Sequence, residues 1–245
     1  MTAAKMGTVL STVVFRPPQP PPRKESSGLL LTTAHGNRIP AIFLNKGAPH
    51  TLLLSHGNAE DLWRIADWAR ALLFPNIRAN IMLYEYTGYG DGQRPCEAFV
   101  YSDAEAAMWL LTESLQVPLG EIVLYGRSLG SGPTCYLAEK HANISGVILE
   151  APITSVLRVI ADFRFTFPGD MFPNIDRMRN ITCPLLLLQG SRDEIVPLSH
   201  SEALLQACPS PKKQLVFIEG AGHNDIQAVA GLPLFQVIQQ FLDSL

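Results

Sequence analysis

The 245-residue chain is poor in charge: 19 Lys and Arg stand against 22 Asp and Glu, charged residues make up 17% of it, and the formal net charge is -3. A near-neutral balance without basic runs argues against nucleic-acid binding driven by overall charge. Long apolar runs are also missing. Candidates such as residues 184–188 are strand-sized, well short of the roughly 18 residues a membrane helix needs, so no transmembrane segment is expected. Cysteine is scarce: Cys96, Cys135, Cys183 and Cys208 are widely spaced, form no CxxC pair and follow no signal-peptide apolar region. They read as reduced thiols of a cytoplasmic protein. There is no G-x-G-x-x-G opening the first strand–helix unit, no GKS or GKT phosphate loop, no H-x-x-x-H and no paired-cysteine ligand set. Neither a nucleotide cofactor nor a metal is therefore expected.

What is present is apolar residue, 47% of the chain, enough for the core of one domain of this length. From Leu29 onward, strand-length apolar runs at 39–44, 51–54, 80–84, 121–125, 146–149, 184–188 and 214–218 alternate with helical spacing at 61–73, 99–115, 131–141 and 225–242. That alternation predicts an α/β fold with a mostly parallel sheet. Residues 151–181 break the rhythm. They contain Phe163, Phe165, Phe167, Met171 and Phe172 with Pro168 and Pro173, and read as a small cap insertion within a domain spanning 29–245.

Residues 1–28 form a separate arm. Its prolines, Pro17, Pro18, Pro20, Pro21 and Pro22, remove backbone donors and favour extended conformation over a packed element. Met6-Gly7-Thr8-Val9-Leu10-Ser11 has the form of an N-myristoylation signal, which would attach the arm to a membrane only if Gly7 became the N-terminus.

The sharpest motif is Gly126-Arg127-Ser128-Leu129-Gly130 between a strand and a helix. A nucleophilic serine on such a turn needs glycines on both sides, because neighbouring side chains would collide in the strained backbone. Serine at its ordinary pKa is a poor nucleophile and needs a base, itself oriented by a carboxylate; on a turn of this type both come later in the chain, acid before base. His223, in Gly220-Ala221-Gly222-His223-Asn224-Asp225 after one strand, is the base expected. Asp193, in Gly190-Ser191-Arg192-Asp193-Glu194 after the strand before it, is the acid. The competitors are placed elsewhere: His200 on a helix face, Glu194 pointing away on a tight turn, Asp225 capping the last helix. Acyl transfer also needs donors for the oxyanion. These are expected at the Leu129 amide and, in Ser55-His56-Gly57-Asn58-Ala59-Glu60, at the Asn58 amide with Ala59 as the fallback. His56 reads as a structural hydrogen-bonding residue, and Tyr86-Thr87-Gly88-Tyr89-Gly90 as a close-packed turn.

Together, Ser55-His56-Gly57-Asn58-Ala59, Gly126-Arg127-Ser128-Leu129-Gly130, Leu149-Glu150-Ala151-Pro152, Phe172-Pro173-Asn174-Ile175-Asp176 and Glu219-Gly220-Ala221-Gly222-His223-Asn224-Asp225 resemble the α/β-hydrolase superfamily, and within it the alpha/beta-hydrolase domain-containing protein 17 family. The resemblance implies the α/β-hydrolase fold and a serine hydrolase removing fatty acyl groups from protein cysteines at membranes, with Ser128, Asp193 and His223 as its triad. The sequence departs from that family in two places. Its N-terminal cysteines have no counterpart in residues 1–28, and Arg127 occupies a position that is commonly Gln, which would alter the charge near the entrance. More distantly the chain looks like the catalytic domain of the prolyl oligopeptidase family.

The expected activity is therefore cleavage of esters or thioesters through an acyl-enzyme, with a small acyl ester or an acylated protein as partner. Phe163, Phe167, Met171 and Phe172 would supply the acyl site, the competing reading being that they form the cap's own small core. Two alternatives for the chain as a whole stay open: a serine peptidase, and a binding protein that keeps the hydrolase fold without turnover.

Overall fold

The computed structural model describes residues 14–18, 28–90, 93–161 and 165–245. Its centre is an eight-stranded sheet: β1 (Leu29–Thr32), β2 (Arg38–Leu44), β3 (His50–Ser55), β4 (Ala79–Tyr84), β5 (Ile122–Arg127), β6 (Gly146–Glu150), β7 (Leu185–Gly190) and β8 (Lys213–Ile218). The spatial order is β1-β2-β4-β3-β5-β6-β7-β8. β1 and β2 run antiparallel to their neighbours, and every pairing from β4 to β8 is parallel. The central strands are continuous apolar runs because both faces of a parallel sheet are covered. Side chains alternate between the two sides. Leu53, Met82, Leu124, Leu149 and Leu187 pack into one apolar layer, while Leu52, Leu83, Val123, Ile148 and Leu188 pack into the other.

The second layer is closed by α1 (Leu62–Trp68). Asp61 starts this helix by accepting from the amides of Trp63 and Arg64, satisfying donors a helix N-terminus leaves open. α2 (Glu97–Trp109) and α3 (Ser131–Lys140) cover the first layer. Between β6 and β7 the described residues form two short helices, α4 (Val156–Ile160) and α5 (Asn174–Met178). α6 (Leu198–Ala207) follows β7, and the chain ends in α7 (Ile226–Ala230) and α8 (Leu232–Asp243).

Two expectations are corrected. The single terminal helix is divided, because Gly231 takes φ +55 between α7 and α8, a conformation glycine adopts without a Cβ penalty. The described residues of the arm also pack: Phe15 is 4% exposed, its ring edge-on to Tyr89 and Phe172, and Pro18 is buried. An aromatic ring gains enough from burial to anchor the chain at this point. Gly7 and its motif lie outside the described residues.

Candidate active site

The sheet brings the four loops of the site to one edge. β3 and β5 are parallel neighbours in the register Ser55↔Gly126, so the turn after β3 lies beside the turn after β5. At the latter, Ser128 holds φ +51, a left-handed value that strains a residue with a side chain. The flanking glycines are sterically required. A Cβ on Gly130 would stand 2.1 Å from the Ser55 carbonyl oxygen, and one on Gly126 would stand 2.4 Å from Thr134 Oγ1. On the other side, β7 and β8 pair in the register Gly190↔Ile218. The amides of Ser191 and Arg192 donate to the carbonyls of Ile218 and Ala221, which ties the loop bearing Asp193 to the loop bearing His223.

His223 thereby reaches back to β5. Its Nε2 lies 2.9 Å from Ser128 Oγ, and its Nδ1 lies 2.8 Å from Asp193 Oδ2. Asp193 Oδ1 accepts the amides of Ile195 at 3.0 Å and Val196 at 2.8 Å, while Oδ2 also accepts from Gln189 Nε2 at 3.0 Å. Burial alone would raise the Asp193 pKa, but the bonds from His223 and the two amides outweigh it, holding the carboxyl below its ordinary value. The result is an ionised acceptor for an imidazole N–H.

The competitors are occupied or turned away. His200 is buried, 7% exposed, with its Nδ1 accepting from the Thr154 amide at 3.1 Å; the expectation of a mere helix-face residue missed this contact with the chain after β6. Glu194 is exposed. Asp225 accepts from the Gly222 amide at 2.6 Å and makes no side-chain cap to α7. The expected helix cap is thus a brace within the His223 loop. His56 is fully buried, with Nε2 2.9 Å from Glu85 Oε1.

A cleft of about 390 Å³ opens at Ser128 and His223, within the usual range for small-molecule sites. Asn58, Ala59 and Leu129 line it, so all of the expected oxyanion residues meet there. Its walls are aliphatic: Val14, Ile153, Val156, Val159, Ile160, Ile195 and Val196. The aromatic acyl site is corrected accordingly. Met171 and Phe172 are 3% and 0% exposed inside the first apolar layer, and Phe172 fills the gap above Gly132, where a Cβ would stand 2.3 Å from its ring. Phe167 is 44% exposed away from the cleft lining. Phe163 lies outside the described residues.

Arg127 forms ion pairs with Glu60 and with Glu150, the latter at 3.1 Å and fully buried. Glu60 also accepts the Gly57 amide at 2.5 Å. The expected change in entrance charge is therefore largely compensated, and Arg127 links the turn after β3 to the ends of β5 and β6. Other supporting residues escaped sequence reasoning because nothing periodic marks them. Tyr86 Oη donates to the His56 carbonyl at 2.8 Å and Tyr89 Oη to Asn58 Oδ1 at 2.7 Å. Ser131 Oγ donates to the Ser128 carbonyl at 2.6 Å and accepts from buried Asn174 Nδ2 at 3.0 Å. Among the described residues no cluster of His, Cys, Asp or Glu is arranged to hold a metal, and no helix is long and apolar enough to cross a membrane.

Comparison with known proteins agrees with this fold. The alpha/beta hydrolase fold family matches residues 50–174. Human alpha/beta hydrolase domain-containing protein 17B is 39% identical over 199 residues, covering 80% of this chain and 68% of its own. The chain belongs to the alpha/beta hydrolase family. The chain resembles mouse alpha/beta hydrolase domain-containing protein 17C equally, at 39% identity over 81% of this chain and 62% of that protein. A second family, described as serine aminopeptidase S33, matches residues 174–226. An esterase of Pyrococcus furiosus superposes with a TM-score of 0.77 at 14% identity, covering 94% of the hydrolase and 98% of that chain. A monoacylglycerol lipase of Paleococcus ferrophilus superposes at 0.62 and 19% identity, covering 84% and 98%. At such identities the two structures speak for the fold.

Proposed function

We propose that the chain is a serine hydrolase that cleaves carboxylic esters or thioesters through an acyl-enzyme and takes fatty acyl groups, those on protein cysteines included. The observation that carries this reading is the continuous line from Ser128 Oγ through His223 to Asp193, at 2.9 and 2.8 Å, opening onto an aliphatic cleft. Ser128 Oγ attacks the acyl carbonyl as its proton passes to His223 Nε2. Asp193 accepts the Nδ1–H bond and stabilises the imidazolium, while the Asn58 and Leu129 amides receive the oxyanion. Collapse breaks the carbonyl–sulfur or carbonyl–oxygen bond, and His223 returns the proton to the departing thiolate or alkoxide. A water molecule, deprotonated by His223, then releases the acid and restores Ser128.

The serine aminopeptidase match supports a second reading, a peptidase. Recognition of a free amino terminus calls for a nearby carboxylate, and none of the described residues lining the cleft is acidic; this favours the acyl substrate. The test is hydrolysis of p-nitrophenyl esters from acetyl to palmitoyl, with a peptide amide alongside, by wild type and by Ser128→Ala. Ester turnover that rises with chain length and vanishes in the variant is expected. Amide cleavage at a comparable rate would transfer the chain to the peptidases, and absence of all turnover would leave a binding protein with a hydrolase fold.

A further inference from the structure

We propose that residues 14–16 are a fixed wall of the active-site cleft, clamped by the Asn58 side chain and anchored by Phe15, and that Phe15 and the Asn58 side chain are positioning residues for the oxyanion amides. This deepens the serine-hydrolase reading and rests on it.

Three observations converge. The first is the clamp itself. Asn58 Nδ2 donates to the Val14 carbonyl at 2.6 Å, and Asn58 Oδ1 accepts the Arg16 amide at 2.8 Å. One side-chain amide thus holds the chain on both sides of Phe15. The second is the anchor, since the Phe15 ring is 4% exposed and lies edge-on to Tyr89 at 6.5 Å and to Phe172 at 6.2 Å. Tyr89 closes the circuit by donating its hydroxyl to the same Asn58 Oδ1. Burial drives the Tyr89 pKa upward, so this hydroxyl stays a donor at any working pH. The third is placement: Val14 lines the cleft with Asn58, Ala59 and Ser128.

The physical consequence follows from Asn58 having two separate parts. Its backbone amide is an expected oxyanion donor, while its side chain is spent on the wall. Ala59, directly after it, holds φ +61, a value disfavoured for a residue bearing a Cβ. Such a turn persists only where its surroundings hold it. On one side Glu60 accepts from Gly57; on the other the clamp fixes the Asn58 side chain and, through it, the orientation of its peptide plane. An oxyanion donor works only when it is placed before the charge develops. Loosening residues 14–16 should then cost turnover in addition to acyl binding, which a simple packing contact would not do.

Two readouts decide the matter. In the first, kcat and KM are measured for acetyl and decanoyl p-nitrophenyl esters with wild type, Phe15→Ala, Asn58→Ala, the double variant and Phe15→Leu. Each alanine variant is expected to lower kcat about tenfold on both esters, against the roughly 100- to 1000-fold loss of a deleted donor, and to raise KM for the decanoyl ester alone. Phe15→Leu, which still fills the buried site, should regain most of kcat. The double variant should be no slower than the worse single variant, because both act through one wall. Unchanged kcat in the two single variants, or losses that multiply, would overturn the proposal. In the second, peptide-level hydrogen exchange follows the Arg16 amide, which should exchange faster in Asn58→Ala. Unaltered exchange would remove the clamp whatever the turnover, and a wild type inactive on every ester would defeat the serine-hydrolase reading while exchange still judged the clamp.

Discussion

Around Ser128 the constraints act within a few residues or between adjacent strands. A Cβ on Gly126 would meet the Thr134 hydroxyl and one on Gly130 the Ser55 carbonyl, while Ser131 holds the Ser128 carbonyl three positions away. Across the same cleft residues 14–16 are held by hydrogen bonds 42 and 44 positions distant in sequence, to one asparagine side chain, and by the buried ring of Phe15. The nucleophile turn is therefore written into five consecutive residues, whereas the acyl wall exists only once distant parts of the chain meet. Chemistry and specificity are consequently separable in one direction: damage to the triad leaves the wall standing, whereas loosening the wall at residues 14–16 is expected to cost both.

The largest effect should come from the triad. Asp193→Asn keeps an acceptor oxygen for the amides of Ile195 and Val196 but no longer compels His223 to carry its proton on Nδ1. We expect kcat to fall by about 10,000-fold, the scale of a triad held in the wrong tautomer, with equal loss on acetyl and long-chain esters. A loss confined to one chain length would break the separation between chemistry and wall.

A pair of substitutions sharpens it. Met171 is 3% exposed within the core, whereas Ile160 is 62% exposed and lines the cleft. Met171→Ala should lower unfolding free energy by about 2 to 5 kcal/mol, the cost of a large-to-small change in a packed interior, without altering the ratio of long-chain to acetyl turnover. Ile160→Ala should do the opposite, lowering that ratio several-fold with the urea midpoint unmoved. Chain-length selectivity lost in Met171→Ala would return the acyl site to the aromatic segment.

That pair also marks where the sequence was readable. Continuous apolar runs announced the central strands because both sheet faces are buried, and glycines announced the turn at Ser128, where a Cβ on Gly126 or Gly130 would collide, and the turn at His223, where Gly220 takes φ +78. Aromatic residues gathered at 163–172 suggested a ligand site, yet composition does not reveal which way a ring points. Phe172 points at Gly132 and into the core. The proline-rich arm hid Phe15 for the related reason that proline excludes regular structure without excluding burial of one side chain. Asn58 was identified for its backbone alone; its side-chain role depends on a chain segment that no local pattern brings near.

The smallest effect tests how firmly the catalytic edge is built. The Asp193 carboxyl has a pKa lowered on folding, since the bonds from His223 and the amides of Val196 and Ile195 outweigh its burial. A group whose folded pKa lies below its unfolded value binds its proton first in the unfolded chain as pH falls, so the folded state loses ground there. This stabilisation is complete above the ordinary carboxyl value of 3.8 and declines as pH falls below it towards the lowered value. Urea midpoints of wild type and Asp193→Asn should therefore converge, or their order reverse, on acidification below that value. Glu105, also held low beside Lys140 and Tyr136, titrates alike in both proteins and cancels from the difference. Parallel curves down to the acid limit would mean that Asp193 is held no better by the folded loop than by water, and that its loop orients His223 through packing rather than charge.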